Sequence, residues 1–503
     1  MRKRKAIFNM SSSLVYQIVS IICGLITPRL ILAEYGSTYN GVVSSATQYL
    51  SMINILNIGV TGVTRVALYK TLANNDIYGT SRIMKATNNY MRKVAYCLLG
   101  YSAILCMVYP AFSHNDLSNI QCGALIAIVS IGTFAEYFFG LSNQTLLQAA
   151  QASYVTNILD ICKTIINTIC VAVLIHFGCT IYIVKLGSSI IFFITPLIMH
   201  LYVKKKYHIL NDCSPDYEAI KKRGAAAFHT VANIIHNDTD LVLLTFFADA
   251  KLISVYTVYY LVAGKVKSLM QVFTSGMEAA FGDMWVKKEN DLLQQSFRTY
   301  EYMLSLFTAI VFSCVLMLLI PFVRVYTVGV NDINYVRISL AVLITAAEAM
   351  YCIRQPYLTL VYATGCYEET KIGALIEAVL NLSISIVLLQ SIGIEGVIIG
   401  TLVANMFRTV QFAIFTSKNI LYRSMSVAIK QFIWVITCIL LIGLISYGVE
   451  NFISFSVSWI GWIGNAFLVL FISVFVTIIA SLIYYKNEFF YLINTFINTI
   501  KNR

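Results

Sequence analysis

Apolar stretches long enough to cross a membrane recur along the chain from Ile7 to Tyr485, and only short polar segments separate them. A spanning helix needs about 20 mostly apolar residues, and it satisfies its own backbone hydrogen bonds in lipid. The pattern therefore predicts an all-α polytopic membrane protein with about 14 transmembrane helices. The predicted spans are 7–33, 41–66, 94–112, 121–141, 156–176, 180–203, 226–248, 254–278, 302–321, 337–362, 372–391, 395–416, 432–450 and 462–485.

Basic residues in the connecting segments lie almost entirely on one side of the predicted membrane. Starting from the basic N-terminus, only Lys251, Arg324 and Arg337 fall on the opposite side. Because cytoplasmic loops are enriched in Lys and Arg, this distribution predicts that both termini are cytoplasmic. It also accounts for the net charge of +12 without a nucleic-acid partner.

The longest cytoplasmic connection follows the sixth predicted span. Six spans return the chain to its starting side, so the next six would repeat the orientation of the first, as in some secondary transporters. The external connections are all short and leave no room for an external catalytic domain. The predicted domains are an N-terminal lobe 1–203, a cytoplasmic linker 204–224, a C-terminal lobe 225–417, a final pair of spans 418–485 and a cytoplasmic amphipathic tail 486–503.

Composition narrows the class further. Hydrophobic residues make up 58% of the chain and charged residues 12%, against roughly 45–50% and 25% in soluble domains. The 12 cysteines lie mostly in apolar segments and form no CxxC pair. The sequence therefore supports neither a disulfide framework nor a metal site.

Polar residues nevertheless form stripes at helical spacing inside several predicted spans. In span 41–66 one such stripe comprises Thr47, Ser51, Asn54, Thr61 and Arg65. Such stripes are longer than isolated contacts between helices require, so they predict a wetted interior. The predicted polar lining comprises Asn54, His229, Asn233, His236, Asp240, Tyr256, Tyr260, Glu348 and Gln355. For His229 and His236, a hydrogen-bonded interior histidine is favoured over a proton relay.

Charged residues inside the spans give the candidate binding site. A charge at the bilayer centre costs about 2.5–3.5 kcal/mol, so such residues usually face a protein interior or water. Cations that share a low-dielectric cavity attract anions, and both Arg and Lys suit phosphate oxygens. The candidate cations are Arg29, Arg65, Lys163, Lys185, Lys267 and Arg354. Lys267 is preferred to Lys265, whereas Arg408 is expected to reach the interface as a snorkelling anchor.

Carboxylates inside the predicted spans also include Glu136, Asp238 and Glu278. The candidates for ion coupling are Asp160, Asp240, Glu348 and Glu377. Asp160 and Lys163 are three residues apart on one predicted helix, and a neutral pair between them is favoured over a coupling role for Asp160.

Several features together resemble a known family. They are the six, six and two pattern of spans, the basic N-terminus, Thr27-Pro-Arg-Leu-Ile-Leu-Ala-Glu-Tyr-Gly36, Asn237-Asp-Thr-Asp-Leu241 and Val255-Tyr-Thr-Val-Tyr259. With these features the chain resembles Wzx-type polysaccharide (O-antigen) flippases of the multidrug/oligosaccharidyl-lipid/polysaccharide (MOP) exporter superfamily. The resemblance implies a MATE-like fold, with two pseudo-symmetric six-helix lobes facing a cationic cavity and two C-terminal helices that form a groove for a lipid tail.

The same resemblance implies a function. A flippase of this kind is not an enzyme; it moves undecaprenyl-diphosphate-linked oligosaccharide units from the cytoplasmic to the external leaflet by alternating access, for O-antigen, capsule or exopolysaccharide assembly. The implied location is the bacterial cytoplasmic (inner) membrane. The implied partners are the lipid-linked oligosaccharide and membrane lipids, with the polysaccharide polymerase and chain-length machinery as further candidates.

No cofactor is expected. Gly264-Lys265 is followed by Val266, so the sequence lacks the GxxxxGK[ST] phosphate loop of an ATP site. An ion gradient or the membrane potential is the expected driving force.

Other functions remain open at this point. A multidrug or organic-cation antiporter of the same superfamily would need a cavity dominated by acidic and aromatic residues, whereas both charge signs occur here. Lipid II flippases are closer relatives with a similar cationic cavity. A membrane polysaccharide polymerase, a protein of another class, generally needs a substantial external loop.

Overall fold

Almost all of the chain is helical in the computed structural model, which describes residues 2–57, 59–113, 115–210, 212–219, 239–450 and 456–501. The helices are α1 (Arg2–Ser51), α2 (Val60–Ala73), α3 (Ile77–Phe112), α4 (Asn119–Ala135), α5 (Leu141–Ala149), α6 (Ser153–His176), α7 (Ile181–Lys206), α8 (Ala250–Val286), α9 (Asn290–Tyr326), α10 (Ile338–Thr364), α11 (Tyr367–Ile392), α12 (Ile394–Asn419), α13 (Met425–Glu450), α14 (Trp459–Tyr484) and α15 (Lys486–Lys501). Residues 239–247 are also helical.

Eleven helices in the described part of the chain are long and apolar enough to cross a membrane. One of them, α1, has 50 residues and contains a sharp break at Gly36. An α-helix rises about 1.5 Å per residue, so a helix of this length exceeds one membrane thickness. The prediction of an all-α polytopic membrane protein is therefore confirmed.

The break in α1 replaces a connection that the sequence predicted over residues 34–40. Gly36 has φ 80° and ψ −179°, a conformation that favours glycine, and the chain is helical on both sides of it. The helix restarts at Ser37, whose backbone N–H donates to Oδ2 of Asp332 at 2.8 Å, while its hydroxyl donates to Oδ1 at 2.6 Å. The predicted seven-residue connection is wrong because one glycine and one capping carboxylate suffice for the turn.

The predicted span 41–66 is also interrupted. Residues Met52–Asn57 form a 3₁₀ helix, and Gly59, with φ 79°, precedes the start of α2. A 3₁₀ helix has three residues per turn, so it shifts the register of the side chains that follow. The polar stripe that the sequence placed on one helix face, through Asn54 and Arg65, is therefore split between two elements.

The chain divides into two compact units. Unit 1 comprises Met1–Val255 and Gly329–Ile333, and unit 2 comprises Tyr256–Val328 and Asn334–Arg503. The division falls inside α8. The domain bounds derived from the sequence stay predictions.

In unit 1, α6 lies along α1. The Thr27 and Thr168 hydroxyls are 3.1 Å apart, and Asn157 donates to the Ser12 hydroxyl at 2.9 Å. The described part of the predicted linker folds back on α3, where the backbone N–H of Asp216 donates to the Arg82 carbonyl at 3.1 Å. Lipid tails are as apolar as the surfaces of membrane helices, so apolar burial does little to hold two such helices together. Polar contacts between helices contribute to their association instead.

In unit 2, a buried carboxylate ties the segment after α12 to α9 and α10. Arg423 donates to both oxygens of Glu301, at 2.8 and 2.6 Å, and the Tyr357 hydroxyl donates to Oε1 of Glu301 at 2.5 Å. Two parallel bonds to one carboxylate fix the guanidinium in a single orientation. At the end of the chain, Glu488 of α15 forms an ion pair with Arg298 of α9.

Candidate functional site

Three residues of the predicted polar lining fall in the segment 220–238. His229, Asn233 and His236 lie outside the described residues, so their lining role stays a prediction. Asp240 is described, and its side chain is buried near the start of the helical segment 239–247 in unit 1. The other predicted residues are divided between the two units, and each unit contains one cluster of charged side chains.

Unit 1 contains a group of charges that we call the acidic cluster: Glu136, Asp160 and Lys163. Nζ of Lys163 lies 2.5 Å from Oδ1 of Asp160, one helical turn away on α6, so the predicted pairing is confirmed. Glu136 lines the same small cavity of about 20 Å³ as these two side chains. A cavity of this size holds about one water molecule.

Glu136 reaches this cavity from a π-helical turn, Glu136–Gly140, between α4 and α5. The Glu136 carboxylate lies over Gly140, and a Cβ at Gly140 would come within 2.9 Å of the carboxyl carbon. A π turn adds a residue to the helix and shifts the side chains around it, and such turns are frequent at functional sites. The sequence placed Glu136 inside a predicted span but not in the predicted site, because Asp160 and Lys163 lie on another helix and only the folded chain brings the three side chains to one cavity.

The remaining predicted cations of unit 1 lie on different helices. Arg29 is half-buried in α1, seven residues before the break at Gly36. Arg65 on α2 and Lys185 on α7 are also half-buried, and neither forms an ion pair with a described residue. Asn54 is held by Tyr137, whose hydroxyl donates to its Oδ1 at 2.5 Å.

Unit 2 contains a larger group that we call the basic cluster: Lys267, Glu348, Arg354, Glu377 and Arg408. All five side chains are buried. Nζ of Lys267 lies 3.3 Å from Oε2 of Glu348, and one terminal nitrogen of Arg354 donates to Oε1 of Glu377 at 2.5 Å. Nε of Arg408 lies 3.4 Å from Oε2 of the same Glu377.

An aromatic ring joins the two parts of the basic cluster. Tyr351 lies one turn after Glu348 and one turn before Arg354 on α10. The Lys267 ammonium lies 3.9 Å from the centre of the Tyr351 ring, and the Arg354 guanidinium lies 4.7 Å from it. An aromatic face attracts cations, so this ring stabilises both without cancelling their charge.

The neighbouring lining residues are aromatic and amide groups. The rings of Tyr256 and Tyr260 on α8 stack with their centres 5.7 Å apart and their planes 11° apart. Gln355 is buried on α10 and donates to the backbone carbonyl of Tyr351 at 3.4 Å. The structure thus brings Lys267, Glu348 and Arg354 together, as the sequence predicted for a common site, but in an ion-pair network.

Arg408 corrects the sequence prediction. Its side chain is 8% exposed and donates to the Thr370 carbonyl at 2.8 Å and to Oε1 of Gln411, so it does not snorkel to an interface. The side chain is retained inside because Glu377 and the Thr370 carbonyl, both on α11, compensate its desolvation. The sequence contained no local signal for this, because α11 and α12 bring the partners together.

Among the described residues, the basic cluster holds three cations and two carboxylates, which leaves one positive charge in excess. In addition, Nε of Arg354 is buried and has no hydrogen-bond partner within the ranges that the structure describes. A buried charge is costly unless it is paired, so an arrangement of this kind is suited to an anion.

No protein-family model matches the chain, and no curated protein matches it in sequence. Solved structures do match it in fold. The lipid II flippase MurJ, in an inward closed conformation, gives a TM-score of 0.71 at 14% sequence identity, with 96% of this chain and 99% of that chain covered.

Multidrug transporters match less closely. An inward-facing multidrug resistance MATE family transporter of the MOP superfamily gives a TM-score of 0.60 at 12% identity, with 84% of this chain and 99% of that chain covered. A eukaryotic MATE transporter gives 0.61 at 11% identity, with 86% and 98% covered. The chain therefore has the MATE-like fold that its resemblance to the MOP superfamily predicted.

Proposed function

We propose that the protein is a flippase that moves undecaprenyl-diphosphate-linked oligosaccharide units from the cytoplasmic to the external leaflet, for O-antigen, capsule or exopolysaccharide assembly. The observation that carries the proposal is the match with a lipid II flippase over nearly the full length of both chains. The charges inside the membrane-spanning helices supply the second line of support.

A lipid-linked diphosphate presents two chemical problems to a membrane protein. Its negative charges need cations in a low-dielectric passage, and its sugars need hydrogen-bonding groups. The basic cluster of unit 2, with its excess positive charge, meets the first requirement, and Arg65 and Lys185 add cations without ion pairs to described residues. Lys163 contributes less, because Asp160 neutralises it.

In this proposal, the cycle is alternating access driven by an ion gradient or the membrane potential. The membrane potential is worth about 2.3 kcal/mol per elementary charge for each 100 mV, so a few moving charges bias such a cycle. Asp160, Asp240, Glu348 and Glu377 stay the candidates for ion coupling. Glu348 pairs with Lys267 and Glu377 pairs with Arg354. These two carboxylates therefore have a role that needs no coupled ion.

The proposed location is the bacterial inner membrane, with both termini in the cytoplasm. The proposed partners are the lipid-linked oligosaccharide, membrane lipids, the polysaccharide polymerase and the chain-length machinery. The basic segments on one side of the predicted spans support this orientation.

The test is to delete the gene and measure on which face of the membrane the lipid-linked oligosaccharide accumulates. The sugar on intact spheroplasts is labelled with a membrane-impermeant reagent and compared with the sugar on lysed membranes. Accumulation of sugar that is labelled only after lysis, reversed by the wild-type gene, supports the proposal. An unchanged distribution of the sugar contradicts it.

A multidrug or organic-cation antiporter is the second candidate, and the acidic cluster of unit 1 favours it. Two carboxylates near one lysine suit a cationic substrate better than an anionic one. Deletion would then produce new sensitivity to cationic dyes while the lipid-linked oligosaccharide keeps its normal distribution.

A further inference from the structure

We propose that Arg408 is a positioning residue for anion binding: it shares Glu377 with Arg354 and thereby leaves Arg354 with charge available for the diphosphate of the substrate. This inference rests on the proposed function, because it names the residue that prepares the same site. It assigns a role to a side chain that the sequence suggested was only an anchor.

The Glu377 carboxylate lies between two arginines. Oε1 of Glu377 accepts a hydrogen bond from Arg354, and Oε2 faces Nε of Arg408. A single carboxylate carries one negative charge, so it neutralises two guanidiniums only in part. Both arginines and Glu377 are buried, so solvent screens the remaining charge weakly.

The two arginines differ in the other groups to which they donate hydrogen bonds. One terminal nitrogen of Arg408 donates to the Thr370 carbonyl and to Oε1 of Gln411, which fixes its guanidinium against α11 and on its own helix. Nε of Arg354, in contrast, is buried and has no hydrogen-bond partner in the described part of the chain. Arg354 therefore has a buried donor that is unused, and a phosphate oxygen suits such a donor.

The other charged groups near Arg354 already form a neutral pair. The neighbouring Lys267 faces Glu348, so this pair is neutral, and the Tyr351 ring between Lys267 and Arg354 carries no net charge. The excess positive charge among the described residues therefore belongs to Arg354, Glu377 and Arg408. When an anion binds Arg354, Arg408 remains beside Glu377, and the carboxylate keeps a buried partner.

The experiment compares charge-balanced variants of the full-length protein in lipid nanodiscs, with undecaprenyl diphosphate and inorganic diphosphate as probes. Arg408→Gln makes the cluster neutral, and we expect the dissociation constant for undecaprenyl diphosphate to rise about tenfold. Arg408→Gln combined with Glu377→Gln restores the excess positive charge. We expect this double variant to bind within about threefold of the wild type.

Two further variants separate positioning from a purely structural role. Arg408→Lys keeps the charge but not the fork that binds Thr370 and Gln411, and we expect it to bind much like the wild type. Lys287→Gln removes an exposed charge whose partner is Asp283, and we expect no change in binding. If Arg408 were only structural, Arg408→Lys would bind poorly and removal of the Glu377 charge would not rescue Arg408→Gln.

The inference is overturned if Arg408→Gln binds as the wild type does, or if the double variant binds no better than Arg408→Gln. It is also overturned if the wild type binds neither diphosphate probe. The proposed function is judged separately, by the face on which the lipid-linked oligosaccharide accumulates in cells. A flippase that passes that test with an unaffected Arg408→Gln variant would refute this inference alone.

Discussion

The acidic cluster of unit 1 and the basic cluster of unit 2 both place mixed charges inside membrane-spanning helices, but their excess charge has opposite sign. The acidic cluster has two carboxylates and one lysine around a small cavity. The basic cluster has three cations and two carboxylates, all buried. A cation inside a predicted span is therefore not by itself an anion site, because its partners decide the local charge.

The predicted cations differ in the positive charge that remains after each has paired with a carboxylate. Lys163 and Lys267 each face a carboxylate, so they add little net attraction for an anion. Arg354 faces a carboxylate that a second arginine shares. We therefore expect substitutions in the two clusters to differ in whether they damage folding, substrate binding or neither.

The largest expected effect follows from removal of the shared carboxylate. Glu377→Leu leaves Arg354 and Arg408 buried without it, and the loss of one partner of a buried ion pair costs about 3–5 kcal/mol. We expect a large drop in the free energy of unfolding, measured by denaturant titration in detergent micelles. The matched control is Glu368→Leu on the same helix, because Glu368 is exposed and pairs with Lys371 at the surface. Equal stability of the two variants would contradict the assignment of Glu377 to a buried network.

The second largest expected effect is a loss of transport in Arg354→Gln, with little change in folding. Arg354→Gln leaves Glu377 beside Arg408, so no carboxylate is left bare, but the cluster loses its excess positive charge. The loss of a buried charged contact costs about 2 kcal/mol or more, so we expect transport to fall about 30-fold or more. Movement of the labelled lipid-linked oligosaccharide to the external face measures this, with the amount of folded protein as the control. Normal transport by Arg354→Gln would remove Arg354 from the proposed passage.

These two predictions show what the sequence could and could not supply. The apolar stretches predicted the spanning helices because membrane insertion depends on local composition. Lys267, Glu348 and Arg354 were found because α8 and α10 are regular helices, in which spacing gives the face. Arg408 was predicted as an interface anchor and Glu136 was left out of the site, because the carboxylate partner of Arg408 and the cavity neighbours of Glu136 lie on other helices.

The third effect tests the acidic cluster. Asp160→Asn removes the partner of Lys163, but Glu136 lines the same cavity and remains available. The two paired side chains are 16% and 21% exposed, so we expect a loss of only about 1 kcal/mol in the free energy of unfolding.

Addition of Glu136→Gln to Asp160→Asn leaves Lys163 without either carboxylate. The free energy of unfolding should then fall further than the separate effects of the two substitutions predict, and a double-mutant cycle measures the difference. Strict additivity would show that Glu136 does not interact with Lys163.

The smallest effect is at an exposed pair, which gives the reference for both clusters. Nζ of Lys251 lies 3.2 Å from Oδ2 of Asp116, and hydrogen bonding to this carboxylate raises the pKa of Lys251. A raised pKa in the folded protein contributes stability that is present below the pKa of the unfolded chain and is lost as the pH rises through the folded value. Because Asp116 is 76% exposed, solvent and salt screen the pair. Asp116→Asn should therefore change stability only slightly near neutral pH and lose even that effect in strongly alkaline or high-salt buffer. An effect of Asp116→Asn as large as that of Glu377→Leu would mean that burial does not distinguish the charged clusters from surface pairs.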